Sequence, residues 1–221
     1  MGAGRRLDQI AARLGRETFL GVPVERFAAG GREQLIALLR AGLDPDSKVA
    51  DLGCGCLRGG YWLIHFLDPG CYCGIEPHAG RLEVGLREIL EPAVLAGKRP
   101  RFDANPSFDT SVFGERFDFF LARSIWTHAP KRQIEAMLDN FVRDGAGGAR
   151  FLTSYLPADD GTDYAGDAWV GTSHESAAAG CIRHAFSWIA SACDRRGLAA
   201  VELPGRRFNG QVWIDIRRAA P

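Results

Sequence analysis

Long apolar runs, an excess of charge of one sign and a signal peptide are all missing from this sequence of 221 residues. No segment approaches the ~20 consecutive apolar residues of a transmembrane helix. Residues 1–20 contain arginines but no apolar stretch of the kind that signal peptides carry. Basic and acidic residues balance at 27 each, so the positive surface that binds nucleic acid nonspecifically is not expected. We therefore predict a cytoplasmic protein whose partners include neither a membrane nor a nucleic acid.

A disulfide framework or a zinc site is not expected either, although the sequence has six cysteines. Two Cys-x-Cys pairs, Cys54 with Cys56 and Cys71 with Cys73, have a spacing that zinc sites also use. The first pair follows the carboxyl end of one predicted strand, and Cys71 begins the next parallel strand. At ~3.3 Å per residue the two pairs lie more than ~10 Å apart, beyond one coordination shell of ~2.3 Å. We predict reduced thiols and no metal.

The sequence does contain enough apolar residues, 46%, for the core of a single domain over residues 1–221. Apolar residues have helical spacing in 5–14 and 31–43, and from residue 48 short apolar runs alternate with amphipathic stretches. The predicted strands are 49–52, 71–75, 101–103, 117–122 and 150–155, and the predicted helices between them are 59–66, 79–96 and 131–142. This order favours a parallel sheet with helices on both faces. In the tail, a helix over 182–196 precedes strands 198–203 and 211–217, whose short connection requires antiparallel pairing.

The strongest motif is a glycine-rich turn after the first predicted strand, Val49-Ala50-Asp51-Leu52-Gly53-Cys54-Gly55-Cys56-Leu57-Arg58. Its glycines allow a ligand to lie against the main chain at the carboxyl end of the sheet. Dinucleotide sites use a third glycine where this chain has Arg58, because the helix must pack closely against the strand. A carboxylate such as Asp51 also suits an ammonium group better than a pyrophosphate. The turn therefore favours an amino-acid-bearing nucleoside over NAD.

The run from Asp51 to Gly55 resembles the first motif of class I S-adenosylmethionine-dependent methyltransferases. Glu76 supports the resemblance, because it lies about 20 residues past the turn, where a carboxylate can accept both ribose hydroxyls. The resemblance covers residues 49–218. It implies an α/β, three-layer α/β/α fold with a Rossmann-like, seven-stranded, mostly parallel sheet and an antiparallel C-terminal strand. It also implies a helical lid (residues 1–47) on the core (residues 48–218), with S-adenosylmethionine as cofactor and S-adenosylhomocysteine as product.

The resemblance assigns cofactor contacts by position in the family's motifs. It places the glycine-rich turn along the methionine part, Asp51 toward the ammonium group, Glu76 on the ribose, the segment after the third strand beside adenine, and the end of the fourth strand along the methionine. The residues so implied are Asp51, Gly53, Cys54, Gly55, Arg58, Glu76, Pro77, Asn105, Ala122 and Arg123. One departure is Leu57, where many members have a third glycine. Arg58 after it has two interpretations: it pairs with the cofactor carboxylate, or it is a surface side chain at a helix start.

Catalysis is expected from the loop that follows the fourth strand. His128 lies there, and a neutral histidine can take a proton from an oxygen or nitrogen nucleophile near pH 7. Its structural interpretation is that it hydrogen-bonds and fixes the loop before the next helix. Residues 157–180 follow the fifth strand at the same edge of the sheet and are predicted to contact the acceptor, because loops there carry binding groups. The alternative for this segment is a flexible surface loop.

These observations predict methyl transfer from S-adenosylmethionine to a small-molecule acceptor, at oxygen or nitrogen, by in-line displacement. The balanced charge speaks against nucleic-acid acceptors. Two alternatives stay open: a catalytically inactive cofactor-binding scaffold or partner subunit, and an NAD(P)-dependent oxidoreductase. The identity of the acceptor and the oligomeric state do not follow from the sequence.

Overall fold

The structure is a computed structural model that describes residues 2–16, 19–21, 23–159, 161–205 and 209–219. Its backbone divides into two units, Met1–Ala104 and Asn105–Pro221. Within the described ranges, no helix combines the length and the apolar character that crossing a bilayer requires.

The unit Met1–Ala104 contains a parallel sheet segment. Its helices are α1 (Ala3–Leu14), α2 (Phe27–Arg40), α3 (Gly60–Phe66), α4 (Ala79–Val84) and α5 (Pro92–Lys98), and its strands are β1 (Val49–Leu52), β2 (Tyr72–Ile75) and β3 (Arg101–Asp103). β2 pairs in parallel with both β1 and β3. Every residue of β1 and β2 is buried, as the continuous apolar runs predict. The carboxyl ends of the three strands therefore meet at one edge, where the glycine-rich turn and Glu76 lie.

The two N-terminal helices bury the faces that their spacing predicts, with one difference in bounds. α1 buries Leu7, Ala11 and Leu14, which lie on one face. α2 begins at Phe27 rather than at residue 31, so Gly30 and Gly31 lie inside its first turns and are buried. The two glycines allow close packing against the start of α3, because a Cβ on Gly30 would lie 2.5 Å from the Arg58 guanidinium and one on Gly31 would lie 2.0 Å from the Arg58 carbonyl oxygen and 2.8 Å from the Trp62 ring.

The single helix predicted over residues 79–96 is wrong. α4 continues into a π-helical turn, Gly85–Ile89, the chain then extends through Leu90 and Glu91, and α5 starts at Pro92. Proline restricts the residue before it to extended backbone, and Glu91 has φ −70° and ψ 137°. The apolar periodicity runs across this break, so it did not reveal it.

The unit Asn105–Pro221 contains the rest of the strands. Its elements are β4 (Phe117–Ala122), α6 (Lys131–Asp144), β5 (Gly145–Tyr155), α7 (Phe186–Asp194), β6 (Leu198–Glu202) and β7 (Val212–Arg218). β4 and β5 are parallel, and β7 is antiparallel to both β5 and β6. The seven strands form one sheet in the order β3-β2-β1-β4-β5-β7-β6. This order and the reversed β7 confirm the predicted Rossmann-like fold class and the antiparallel C-terminal strand.

Two bounds in this unit differ from prediction. β5 starts at Gly145, five residues before the predicted strand, because Gly145 already pairs with Phe117. α7 starts at Phe186, four residues after the predicted helix, because the preceding backbone bonds to loops instead: Ile182 N donates to Thr127 O at 2.8 Å and His184 N to Leu156 O at 3.0 Å.

Candidate functional site

The glycine-rich turn is fixed to the end of β2 by backbone hydrogen bonds. The N–H groups of Gly53 and Cys54 both donate to the Ile75 carbonyl, at 2.7 and 3.1 Å. Gly53 and Gly55 have φ values of +75° and +57°, which glycine adopts without the steric cost that a side chain brings. A Cβ placed on Gly55 would meet nothing within 4 Å. At Gly55 the turn therefore presents bare backbone to open space.

Glu76 directly follows β2, and its carboxylate accepts a hydrogen bond from the turn. The residue is 4% exposed; Oε2 accepts from Gly55 N and Oε1 from His78 N, each at 2.9 Å. A carboxylate oxygen can accept a second hydrogen bond, so both oxygens retain capacity for the two hydroxyls of a ribose. Pro77 is half-buried between Glu76 and the exposed His78.

Asp51 lies on β1 beside the turn and is buried, with 3% exposure. Its Oδ2 accepts from the Tyr72 hydroxyl at 2.7 Å. Burial raises the pKa of Asp51 to about 7, an effect that the Tyr72 hydrogen bond opposes and the charge of Glu76 adds to. Among the described residues, no cationic side chain acts to lower the pKa of Asp51. A cationic ligand such as an ammonium group would therefore be stabilised here.

Leu57 occupies the position where many members of the resembled family have glycine, and its backbone has the conformation that glycine favours. Its φ is +63°, which costs a leucine about 1–2 kcal/mol. The side chain is fully buried and fits against Gly60 and Gly85, where any added Cβ would lie 2.9 Å from leucine carbon atoms. Burial of a leucine contributes about 1.5–3 kcal/mol, which offsets the backbone cost.

Arg58 makes contacts that neither sequence interpretation included. Its guanidinium donates to the carbonyls of Pro23, Arg26 and Phe27 at 2.8–3.0 Å and stacks over the Phe27 ring at 5.4 Å. Gly30 provides the room, because a Cβ there would lie 2.5 Å from the guanidinium. Arg58 thus ties the glycine-rich turn to the start of α2, and its pairing with a cofactor carboxylate stays a prediction.

Burial also affects the thiols at this edge. All six cysteines are free, and burial raises the pKa of Cys54 well above its usual range and that of Cys56 to about 12. Both thiols therefore stay protonated near neutral pH and act as small apolar side chains. In the described ranges, no group of three His, Cys, Asp or Glu side chains has an arrangement that could hold a metal ion.

In the second unit, Asn105 shapes the segment after β3. Its Oδ1 accepts from Asp109 N at 2.6 Å and from Ser107 Oγ at 3.0 Å, and its Nδ2 donates to Asp109 O at 3.2 Å. These bonds close a local turn of the type that asparagine side chains form. Contact of Asn105 with an adenine stays a prediction.

Ala122 and Arg123 end β4, and Arg123 belongs to a polar cluster that the sequence analysis missed. Ala122 is fully buried. Arg123 donates to Ser154 Oγ at 2.7 Å and to Gln211 Oε1, and its guanidinium stacks over Trp213 at 5.1 Å. Ser154 on β5 and Gln211 before β7 are far apart in sequence. In the sequence, the polar pair Thr153-Ser154 inside the predicted strand 150–155 could have indicated this cluster.

His128 is held by residues 157–180. Its Nδ1 lies 2.7 Å from Val170 O, and Val170 N donates to His128 O at 3.0 Å. A carbonyl oxygen only accepts, so Nδ1 carries the hydrogen, and in the neutral ring Nε2 is then the basic nitrogen. Gly171 follows with φ +83°, and a Cβ there would lie 2.5 Å from Nδ1. These hydrogen bonds are of the kind that the structural interpretation of His128 predicted. The same ring orientation would also allow Nε2 to act as a base.

The loop itself is packed by an aromatic cluster. Trp169 is 6% exposed, and its ring lies 4.6 Å from His174 and 5.9 Å from Phe108. Lys131 adds an ion pair with Asp163 at 2.7 Å. These contacts fix the described part of the loop at Asp163, Trp169 and His174, and its contact with an acceptor stays a prediction.

Comparisons with known proteins identify the fold. No protein-family model and no curated protein sequence matches the chain. Among solved structures, the chain is similar to a magnesium protoporphyrin IX methyltransferase (ChlM) from Synechocystis PCC 6803 with bound SAH, at 14% identity, covering 95% of this chain and 93% of that one, with a TM-score of 0.64. It is also similar to the CcbJ methyltransferase from Streptomyces caelestis, at 18% identity over 100% of both chains, with a TM-score of 0.64. The glycopeptide N-methyltransferase MtfA matches at 12% identity over 90% of this chain and 99% of that one, with a TM-score of 0.63.

At these identities the similarity shows the fold, which is that of S-adenosylmethionine-dependent methyltransferases. The fold that the resemblance implied is thereby confirmed. One of these structures has S-adenosylhomocysteine bound.

Proposed function

We propose that the protein is an S-adenosylmethionine-dependent methyltransferase that acts on oxygen or nitrogen of a small-molecule acceptor. One observation carries the proposal: in a methyltransferase fold, two buried carboxyl groups, Asp51 and Glu76, lie at neighbouring strand ends beside a turn of bare glycine backbone. Asp51 matches an ammonium group and Glu76 a pair of hydroxyls. S-adenosylmethionine carries both.

The residues of the first unit would hold this cofactor. Glu76 would accept from the ribose hydroxyls while it braces Gly55, Asp51 would receive the ammonium group, and the backbone of Gly53 and Gly55 would lie along the methionine part. When bound, S-adenosylmethionine supplies an electrophilic methyl group on its sulfonium sulfur. The family resemblance assigns Asn105, Ala122 and Arg123 to the same ligand.

His128 is the proposed general base. Its Nδ1–H bond to Val170 O orients the ring and raises the electron density at Nε2, the arrangement in which an orienting acceptor supports a catalytic histidine. Nε2 would take the proton that an acceptor hydroxyl or amine loses on methylation. Alignment of the nucleophile contributes in addition, because effective molarity accounts for up to about 7–11 kcal/mol of a barrier.

The balanced charge of the chain supports a small-molecule acceptor over a nucleic acid. Two of the similar structures are named for a porphyrin and a glycopeptide substrate, which also supports a small acceptor.

Calorimetric titration with S-adenosylhomocysteine, NAD and NADP tests the cofactor. We expect micromolar binding of S-adenosylhomocysteine alone. Glu76→Ala should weaken that binding by about 1–3 kcal/mol. Glu88→Ala, which removes a carboxylate that pairs with Arg13 and Arg87 in the same unit, is the control. Binding of a dinucleotide alone would indicate an oxidoreductase, and silence from all three ligands would remove the cofactor proposal.

Turnover of a methylated acceptor tests His128 and separates the enzyme from an inactive scaffold. His128→Ala should lower kcat by about 10²–10⁴-fold with little change in cofactor affinity. His128→Asn keeps a donor near Val170 O but has no basic nitrogen, so it should be as slow as the alanine variant. Recovery of activity in His128→Asn would assign His128 to the loop rather than to proton transfer.

A further inference from the structure

Tyr72, the first residue of β2, is the hydrogen-bond partner of Asp51 and has no place in the motifs considered so far. The strand register pairs Val49 with Tyr72 and Asp51 with Gly74. Because side chains two residues apart lie on one face of a sheet, these four positions share a face. The hydroxyl of Tyr72 reaches along that face to Asp51 Oδ2 at 2.7 Å.

Gly60 leaves room for the Tyr72 hydroxyl, and Gly74 leaves room for the Cys54 thiol and the Phe102 ring. A Cβ on Gly60, at the start of α3, would lie 2.6 Å from the Tyr72 hydroxyl oxygen. A Cβ on Gly74 would lie 2.9 Å from the Cys54 Sγ atom and 3.0 Å from the Phe102 ring. The Tyr72 ring is 2% exposed and packs edge-on against Phe102 at 6.0 Å. Its hydroxyl is therefore held in one place, beside a carboxyl group that is itself buried.

We propose, building on the function proposed above, that Tyr72 is a positioning residue whose hydroxyl holds the Asp51 carboxylate for the ammonium group of an amino-acid-bearing nucleoside. Asp51 has a short side chain with one rotatable bond between its carboxyl group and Cβ. A donor on Oδ2 fixes that rotation, and Oδ1 is left to face the ligand. A nucleoside without the amino-acid part does not use this arrangement.

Tyr72 also acts on the charge of Asp51. The titratable groups that act on Asp51 and its surroundings are Tyr72, Glu76 and the Cys54 thiol. Burial and Glu76 raise the pKa of Asp51, and the Tyr72 hydrogen bond lowers it. Loss of the hydroxyl therefore leaves a smaller charged fraction of Asp51 at neutral pH. Binding of an ammonium-bearing ligand should then need a higher pH.

The test is calorimetric titration of the full chain with two ligands, S-adenosylhomocysteine and 5′-methylthioadenosine, which has the same nucleoside but no amino-acid part. At pH 7.5, Tyr72→Phe should weaken S-adenosylhomocysteine binding roughly tenfold, since a hydrogen bond to a charged group is lost. It should change methylthioadenosine binding by less than about twofold. Across pH 6–9, the midpoint of S-adenosylhomocysteine affinity should move upward in the variant.

Tyr61→Phe is the matched control, because Tyr61 is also buried in this unit and its hydroxyl donates to Glu91 instead, at 3.3 Å. It should leave the ratio of the two affinities unchanged. If Tyr72→Phe weakens the binding of both ligands equally, or weakens the binding of neither, the positioning role is overturned. If the wild-type protein binds neither ligand, the proposed function itself fails.

A pH titration of the wild-type protein tests the inference without any variant. The affinity for S-adenosylhomocysteine should rise as Asp51 ionises, and the affinity for methylthioadenosine should not follow it. Parallel pH dependence for the two ligands would contradict the assignment of Asp51 and Tyr72 to the amino-acid part.

Discussion

Replacement of Asp51 by asparagine should stabilise the folded protein at alkaline pH and not at acidic pH. The pKa of Asp51 rises from 3.8 to about 7 on folding, chiefly by burial. The folded state therefore holds a proton at pH values where the unfolded state has released it. The contribution of Asp51 to stability is greatest below pH 4 and is lost as the pH rises to about 7, because burial makes its charged form unfavourable in the folded state.

The size of the effect follows from the shift. At about 1.4 kcal/mol per pH unit, a shift of about 3 units costs about 4 kcal/mol once Asp51 is fully charged. About 2–3 kcal/mol of this cost develops between pH 5 and pH 8. The amide of Asp51→Asn still accepts from Tyr72 through its oxygen, but its NH₂ group is buried without an assigned acceptor, which costs about 1–2 kcal/mol. The net stabilisation expected at pH 8 is about 2 kcal/mol.

Urea denaturation of both proteins at pH 5, 6, 7 and 8 measures this difference. At each pH, the unfolding free energy of wild type is subtracted from that of Asp51→Asn. The change of this difference with pH is informative, because the cost of burying the amide is the same at every pH and cancels. Asp68→Asn, which removes an exposed carboxylate of the same unit, is the matched control for loss of one charge. A difference between wild type and Asp51→Asn that stays constant from pH 5 to pH 8 would refute the reasoning.

Three further substitutions test other parts of the structure. Leu57→Ala and Leu57→Gly both lose the buried side chain, but only alanine keeps a Cβ at the strained φ of +63°. In urea denaturation Leu57→Ala should therefore be about 1 kcal/mol less stable than Leu57→Gly, and the opposite order would contradict the claim that the backbone is strained at this position. Gly171→Ala places a Cβ 2.0 Å from Gly180 O and 2.5 Å from His128 Nδ1, and kcat should fall about 10²-fold while S-adenosylhomocysteine affinity holds. Asp215→Ala removes the buried partner of Arg150 and should cost about 3 kcal/mol in unfolding free energy; a loss under 1 kcal/mol would show that this ion pair contributes little.

The sequence was sufficient for the parts of the site that rest on local constraints. The glycine-rich turn was predictable because Gly53 and Gly55 mark left-handed backbone after an apolar strand. Glu76 was predictable because the carboxyl ends of neighbouring parallel strands meet at one edge. The hydrogen bond from Gly55 N to Glu76 confirms that this acid and the turn lie together.

Contacts between distant segments were not predictable in the same way. Arg58 bonds to carbonyls 31 to 35 residues earlier in the chain, and no spacing rule connects a helix start to those positions. The cluster of Arg123, Ser154 and Gln211 likewise joins three segments of the second unit. Each partner is a polar residue of ordinary type. Only the tertiary arrangement gives these residues a shared role.

Arg58 and Leu57 together explain how this chain manages without the third glycine. Leucine at a left-handed position costs backbone energy and fixes the direction in which the next side chain leaves the turn. That next side chain is Arg58, whose guanidinium bonds to residues 23–27 at the start of α2. On its other side the turn is bonded to Glu76 through Gly55. The carboxylate proposed to hold the ribose and the segment predicted to act as a lid are therefore linked through the four consecutive residues from Gly55 to Arg58.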